Sequence, residues 1–486
     1  MKTFSIRTFI ILTTVSLSNL CTAQQIDPNL ENGIQSIQPI DTYNYCKKIA
    51  SDEFAGRLTG DEGYTKATQW AAEKFKEWGL KPIDEKEGYL QSYPSPYTII
   101  ESAELKFHLP KENGTFEDKE LKPVDDYMPI LFSGSGTHTT EVVFVGWGIS
   151  APELDYDDYE GVDVKDKFVL CFRGTPDRSD TNYVKHDYHH FRMQTAKNKG
   201  ALGLFYIYPE ADANPNGDYI ENFTPVIITE ESADLLLKEK NFSSTELRAK
   251  LVETKKPNPF ELSAKISYSV KSTFHPDGIG YNVVGYVEGT DRELKKECIV
   301  IGGHFDHCGR HMGITFPGAN DNASGSAVVM KVAEAFSKLN EQPKRSVVFV
   351  LFGGEEMGLE GSYYFADHLP EQFTKIDAMF NHDMNGEGDG TRYGYTTNMP
   401  GFNETIIDAD KFVNVIKGSR EITQVGVRSS DYAPFFQKGA ACAAFFSNGP
   451  HLHYHLPGDT IYRINPDIMA DIAKLSFLAA YRWGDR

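Results

Sequence analysis

The chain has 486 residues, 40% of them hydrophobic and 24% charged. At ~150 residues per domain that leaves room for about three domains and excludes a peptide hormone, a small disulfide scaffold and a disordered tail. Lys plus Arg total 49 against 69 Asp plus Glu, a formal charge of -20, which speaks against nucleic acid or an anionic membrane as the main partner.

Residues 1–23 have the pattern of a secretory signal peptide: Lys2 and Arg7 make a basic start, Phe9 to Leu17 is apolar, and Cys21-Thr22-Ala23 ends it with small residues. The apolar run is too short to cross a bilayer, and no later segment has about 18 uninterrupted apolar residues. Leu20 is a poor residue to precede a lipid-attachment cysteine at Cys21. The expectation is an exported chain, periplasmic or extracellular, with no membrane span and a mature start near Gln24. Cys46, Cys171, Cys298, Cys308 and Cys442 then remain, odd in number and widely spaced. They form neither a disulfide framework nor a Cys-X-X-Cys zinc site.

In chain order, Tyr64, Ala67, Ala71, Phe75 and Trp78 recur at helical steps and Gly79 follows as a stop. From about Leu131 to Ile227 the texture changes to short strands, at Glu141 to Gly146, Lys167 to Phe172, Ala201 to Tyr208 and Thr224 to Ile228, with a helix near Phe191 to Lys199. After about Asp277 strands alternate with helices. Apolar runs at Cys298 to Gly302, Ser346 to Phe352, Ala378 to Asn381 and Ala440 to Phe446 flank helical patterns at Ala327 to Leu339 and Leu359 to His368. Continuous apolar strands separated by helices predict an α/β domain with a mixed, mostly parallel sheet sandwiched by helices. The expected division is a leader over 1–23, a first part of the main domain over 24–128, a β-rich insert over 129–272, and the main domain over 273–486.

The chemistry gathers where the strands of this last domain end. Gly302-Gly303-His304-Phe305-Asp306-His307 closes one, Gly353-Gly354-Glu355-Glu356 the next, and Asn381-His382-Asp383 a third. In open α/β sheets the ligand crevice lies at the carboxyl ends of the strands. Asp321, in Gly318-Ala319-Asn320-Asp321-Asn322, sits before a helix, and His455 follows the last strand. Singly, each has an ordinary explanation: Asp321 as a helix cap, the Glu355-Glu356 pair as a solvated first turn, His304 as a core histidine. Jointly they are imidazoles and carboxylates at one sheet end, a donor set suited to divalent cations, zinc first. Asp321, Asp383, Glu356 and a hydroxide balance two such cations rather than one.

These residues carry a resemblance. His304-X-Asp306, the Gly-Ala-Asn-Asp321 loop, Glu355-Glu356, Asp383 and Tyr454-His455 with Asp459-Thr460 resemble the motif series of the M28 family of dinuclear zinc peptidases, which includes bacterial aminopeptidases and glutamate carboxypeptidase. Ser51 to Gly60 with the Tyr64 helix resembles the start of the family's domain, and the insert resembles a protease-associated domain. The resemblance implies two zinc ions. It assigns Asp321 as bridging ligand, His304 and Asp383 to one zinc, and Glu356 and His455 to the other. It makes Glu355 the general base and Asp306 the partner that orients His304. It also places Tyr454 where one branch has an oxyanion-stabilising tyrosine. Peptides are the implied substrates, and an acidic crevice would attract a free α-ammonium group, favouring an aminopeptidase.

The alternatives are a glutamate-carboxypeptidase-like exopeptidase, a glutaminyl-cyclase-like acyltransferase with one working zinc, and a binding module without catalysis. The complete ligand pairs and the large insert speak against the last two. His186, His189 and His190 in the insert read as a solvated cluster rather than a second metal site. Cys308 reads as a wall residue rather than a ligand, and Arg428 as either a carboxylate contact or a surface arginine.

Overall fold

The computed structural model describes residues 27–84, 86, 88–426 and 429–486. The leader and Arg428 lie outside the described residues.

Among the described residues, nine strands form the main sheet. Its centre is built from Ser346–Phe352, Glu297–His304, Lys375–His382 and Ala441–Ser447, all parallel to one another. Ile279–Val287 and Thr391–Tyr395 flank this centre in antiparallel sense, and Ile416–Glu421 pairs parallel to the latter. Ser346–Phe352 is buried at every position, as expected for a strand covered on both faces. Helices Gly325–Ser337 and Pro466–Gly484 pack on one face with Phe336, Phe349 and Phe477. On the other, Phe352, Phe365 and Phe435 close a second core. Cys298 and Cys442 lie buried in this second core.

The element bounds follow the sequence pattern with small shifts. The first periodic helix spans Glu62–Glu77, with Asp61 accepting the Tyr64 N–H as its cap. Five strands, Lys81–Pro82, Leu90–Pro94, Ile279–Val287, Thr391–Tyr395 and Ile416–Glu421, extend the sheet beyond what the apolar runs predict; the last is exposed over most of its length and carries no buried pattern.

A second sheet of eight strands stands apart in the chain. It uses the expected strands Gly136–Phe144, Phe168–Phe172, Gly203–Tyr208 and Val226–Thr229, which pair in parallel. It also takes the long antiparallel pair Tyr97–Pro110 and Phe260–His275, so it begins some thirty residues earlier than the change in sequence texture. The reason is that Tyr97–Pro110 alternates buried and exposed positions with charges on its open face, which masks it among polar residues. Helix His189–Asn198 lies against this sheet.

Candidate functional site

Three parallel strands set the site. In the pairing register His304 lies opposite Phe352, and Gly302 opposite Asn381. The residues just past those positions, Glu355, Glu356 and Asp383, therefore emerge at the same sheet end as His304. Gly303 allows the close approach, since a Cβ there would collide with the His382 carbonyl of the next strand. Asp321 arrives from the loop before helix Gly325–Ser337. That loop is stapled down by the Asn322 side chain, which donates to the His382 carbonyl and accepts from the Gly325 and Met384 amides. Asp459 accepts the Asn320 and Asp321 amides at 2.8 and 2.9 Å.

His304, Asp306, Asp321, Glu356, Asp383 and His455 are brought together, each at most 7% exposed. His304 Nε2 lies 3.3 Å from Asp321 Oδ1 and 3.4 Å from Asp383 Oδ1. His455 Nε2 lies 3.2 Å from Asp321 Oδ2 and 2.8 Å from Glu356 Oε2. Each oxygen of Asp321 thus faces a different imidazole. The far nitrogens fix the tautomers: His455 Nδ1 donates to the Ala213 carbonyl at 2.7 Å, and His304 Nδ1 faces the Asp306 carbonyl at 3.3 Å. Both Nε2 lone pairs are left pointing into the cluster, the arrangement that metal-bound imidazoles adopt. Asp321 Oδ2 and His455 Nε2 are buried without a hydrogen-bond partner. Buried polar atoms without partners are costly, and donors of this chemistry suit divalent cations. The residues fit a metal centre.

The electrostatics follow from this crowding. Burial opposes protonation of His304, but the charge of Glu355 and hydrogen bonds to Asp306, Asp321 and Asp383 raise it well above the usual range. Burial, then the charges of Glu356, Asp383 and Asp431, push the Glu355 carboxyl well above its usual range despite the opposing pull of His304. Asp306 turns its carboxylate to the Glu355 and Glu356 amides at 3.3 and 3.4 Å. It therefore holds the Glu pair as well as the His304 imidazole.

Two features were not assigned from sequence. His307 is fully buried, with Nδ1 2.8 Å from Glu356 Oε1, and its place in the motif beside Asp306 was the available signal. The other is the second sheet's contribution: Ala213 bonds His455 through both its amide, at 3.0 Å to the His455 carbonyl, and its own carbonyl. His455 has φ 56°, a left-handed conformation uncommon for a residue with a side chain, and these two bonds hold it there. Sequence spacing gives no sign of a contact 242 residues away.

Tyr454 stacks on the His455 ring with centroids 3.8 Å apart and keeps 46% of its surface exposed. Cys308 is buried, its Sγ 3.7 Å from the Ala213 carbonyl, and donor atoms of Cys308, His307, Glu356 and His455 all lie within 4.8 Å of one another. The histidines of the insert face separate partners. His186 meets Glu153, His190 meets Asp218, and His189 is buried edge-on against Tyr206.

A doubly covered mixed sheet with a parallel centre, and with buried imidazoles and carboxylates at its strand ends, defines an α/β enzyme with a metal-ligating centre. Residues 282–480 match the model of Peptidase family M28, and the chain is a peptidase, a hydrolase of peptide bonds. The aminopeptidase YwaD of Bacillus subtilis is 27% identical over 367 residues, 72% of this chain and 70% of that protein. Leupeptin-inactivating enzyme 1 of Streptomyces exfoliatus is 33% identical over 184 residues, 37% of this chain and 39% of its own length. Among solved structures, BSAP, a zinc aminopeptidase from Bacillus subtilis, has the same fold with a TM-score of 0.63 at 20% identity, over 93% of this chain and 96% of that one. Among the described residues no helix is long and apolar enough to cross a membrane.

Proposed function

We propose that the chain is an exported dinuclear zinc aminopeptidase that removes amino-terminal residues from peptides. The observation that carries the reading is Asp321, whose two carboxylate oxygens lie 3.3 and 3.2 Å from His304 and His455. Asp321 would be shared between two cations, His304 and Asp383 holding one and Glu356 and His455 the other. The similarly folded BSAP is a zinc aminopeptidase, and the imidazole and carboxylate donors of this chain accord with that metal.

Bound zinc would supply Lewis acidity to the scissile carbonyl and lower the pKa of a water. The chain's own residues do the rest. Glu355 belongs to no ligand pair, and its neighbours raise its proton affinity, so it takes the proton of the attacking water and returns it to the leaving amine. Asp306 positions both His304 and the Glu355-Glu356 backbone. The surrounding carboxylates favour a substrate whose α-amino group is free and positively charged. The second sheet, a protease-associated insert on this reading, holds His455 through Ala213. Export rests on the leader pattern of residues 1–23.

The test combines elemental mass spectrometry of protein prepared without chelator with turnover of leucine p-nitroanilide and its N-acetyl derivative. About two zinc ions per chain, with turnover lost on acetylation, is the expected result. A single ion in fully active protein sinks the dinuclear reading, and cleavage of blocked peptides from the carboxyl end sinks the aminopeptidase reading.

A further inference from the structure

The second sheet holds a cavity of about 430 Å³ at the carboxyl ends of strands Phe168–Phe172 and Gly203–Tyr208. Arg173, Arg178 and Arg248 line it, an unusual concentration of positive charge in a chain of formal charge -20. The acids at its wall are already engaged. Asp180 accepts the Asn182 amide and Nδ2 at 2.9 and 2.8 Å, and Asp187 accepts the Gly174 amide at 3.0 Å and faces Arg192 Nη2 at 3.3 Å.

The guanidinium groups keep free donors. Among the described residues Arg178 makes no hydrogen bond or ion pair, Arg173 reaches the Tyr208 hydroxyl at 3.3 Å, and Arg248 touches Glu230 only at 3.5 Å. Arg248 Nε is buried with no partner, while its guanidinium lies 4.5 Å above the Phe172 ring. Arg178 and Arg248 stand close enough that their like charges oppose each other. A buried, unpaired N–H in a planar fork next to two further guanidinium groups is the chemistry that recognises a carboxylate.

A short stretch of chain runs from the cavity wall to the metal-ligand cluster. Tyr208 lines it, and five residues on, Ala213 bonds His455. At 3.3–3.6 Å per residue those two positions are at most about 18 Å apart. Between them Asp212 feels the charges of both His455 and Arg173.

We propose that this cavity is an anion subsite that takes the carboxyl-terminal carboxylate of a short peptide whose amino end lies at the metal cluster. It rests on the peptidase reading above, and it makes the enzyme prefer short peptides with a free carboxyl terminus, because only a chain of limited length bridges the two ends.

The test uses the full zinc-loaded chain and peptides Leu-Gly-Gly, Leu-Gly-Gly-Gly and Leu-Gly-Gly-Gly-Gly, each as free acid and as amide. At the length that reaches, kcat/KM for the acid should exceed that for the amide by about tenfold, the scale of one charge-assisted hydrogen bond. Arg178→Ala, at an exposed and unpaired side chain, should bring the ratio to about one without changing leucine p-nitroanilide turnover; Arg248→Lys, which keeps the charge and loses the fork, should lower it as well. A ratio unchanged in both variants overturns the proposal. If the enzyme turns over none of these substrates, the peptidase reading fails separately, and calorimetry on Glu355→Gln protein still decides the cavity: equal affinity for acid and amide overturns it. Succinate that binds to wild type and not to Arg178→Ala, while acid and amide peptides behave alike, overturns it in favour of a free small acid.

Discussion

His307 Nδ1 lies 2.8 Å from Glu356 Oε1, while Oε2 of the same carboxylate lies 2.8 Å from His455 Nε2. One oxygen is thereby held by the protein and the other turned toward the cluster. Residues that orient a metal ligand in this way typically affect metal affinity or activity by about 10–100-fold. His307→Ala should lower zinc retention against a mild chelator and reduce kcat by about that factor. His307→Asn, which keeps a donor near Oε1, should recover part of both. If His307→Ala retains zinc and turns over like wild type, Glu356 is positioned by something else.

Glu355 offers the cleanest separation of catalysis from metal binding. Its carboxyl is raised by burial and by neighbouring carboxylates, and in the proposed centre Asp321, which faces both His304 and His455, is the shared ligand. Glu355→Gln keeps the shape and removes the proton acceptor, so kcat should fall by about 10²–10⁴-fold with zinc content unchanged by elemental analysis. Loss of zinc in this variant would mean that Glu355 is a ligand and Glu356 the base.

Much of this site was legible because each strand end carries its own signature. His304, Glu355-Glu356 and Asp383 each follow a run of buried aliphatic residues, so burial marks the strand and the polar residues after it mark the crevice. The α/β class followed from the same runs. What escaped is what depends on packing between distant segments. Tyr97–Pro110 hides its strand character among Glu101, Glu104 and Lys106. Ala213 has no chemistry of its own, and its backbone contact with His455 exists only because the second sheet docks there. His307 stood in plain view within the first motif, but its partner Glu356 is 49 residues away, and only the register of two parallel strands joins them.

Arg57 is fully buried and donates to the carbonyls of Phe305, Ile49, Pro317 and Gly318 at 2.8 to 3.0 Å. It ties the loop before Asp321 to the segment after His304. Arg57→Met removes every donor while leaving the carbonyls buried, which should cost about 3–5 kcal/mol and lower the urea midpoint of the main domain. Arg57→Lys should recover little, since an ammonium cannot span the same fork of acceptors. A variant of wild-type stability would show that water replaces the guanidinium.

His311 couples the two sheets in a way that pH should reveal. Its Nδ1 accepts the Ile100 amide at 3.1 Å, from strand Tyr97–Pro110 of the second sheet, and its Nε2–H donates to the Cys308 carbonyl at 2.9 Å. The Ile100 bond needs the neutral ring, because a proton on Nδ1 would face an N–H, whereas the Cys308 bond survives protonation. Burial pushes the imidazole down to about 4 from its ordinary 6.5, with the Cys308 bond opposing that shift. The folded state therefore holds fewer protons than the unfolded chain between those values, so His311 contributes its full stability above about pH 6.5 and loses it as pH falls toward 4. The full span corresponds to at most about 3 kcal/mol. Wild type should lose stability over that interval more steeply than His311→Asn, which has no proton to gain, and the two urea midpoints should converge as pH falls. Parallel curves from pH 7 to 4.5 would show that the ring is already protonated or that the contact with Ile100 does not contribute to stability.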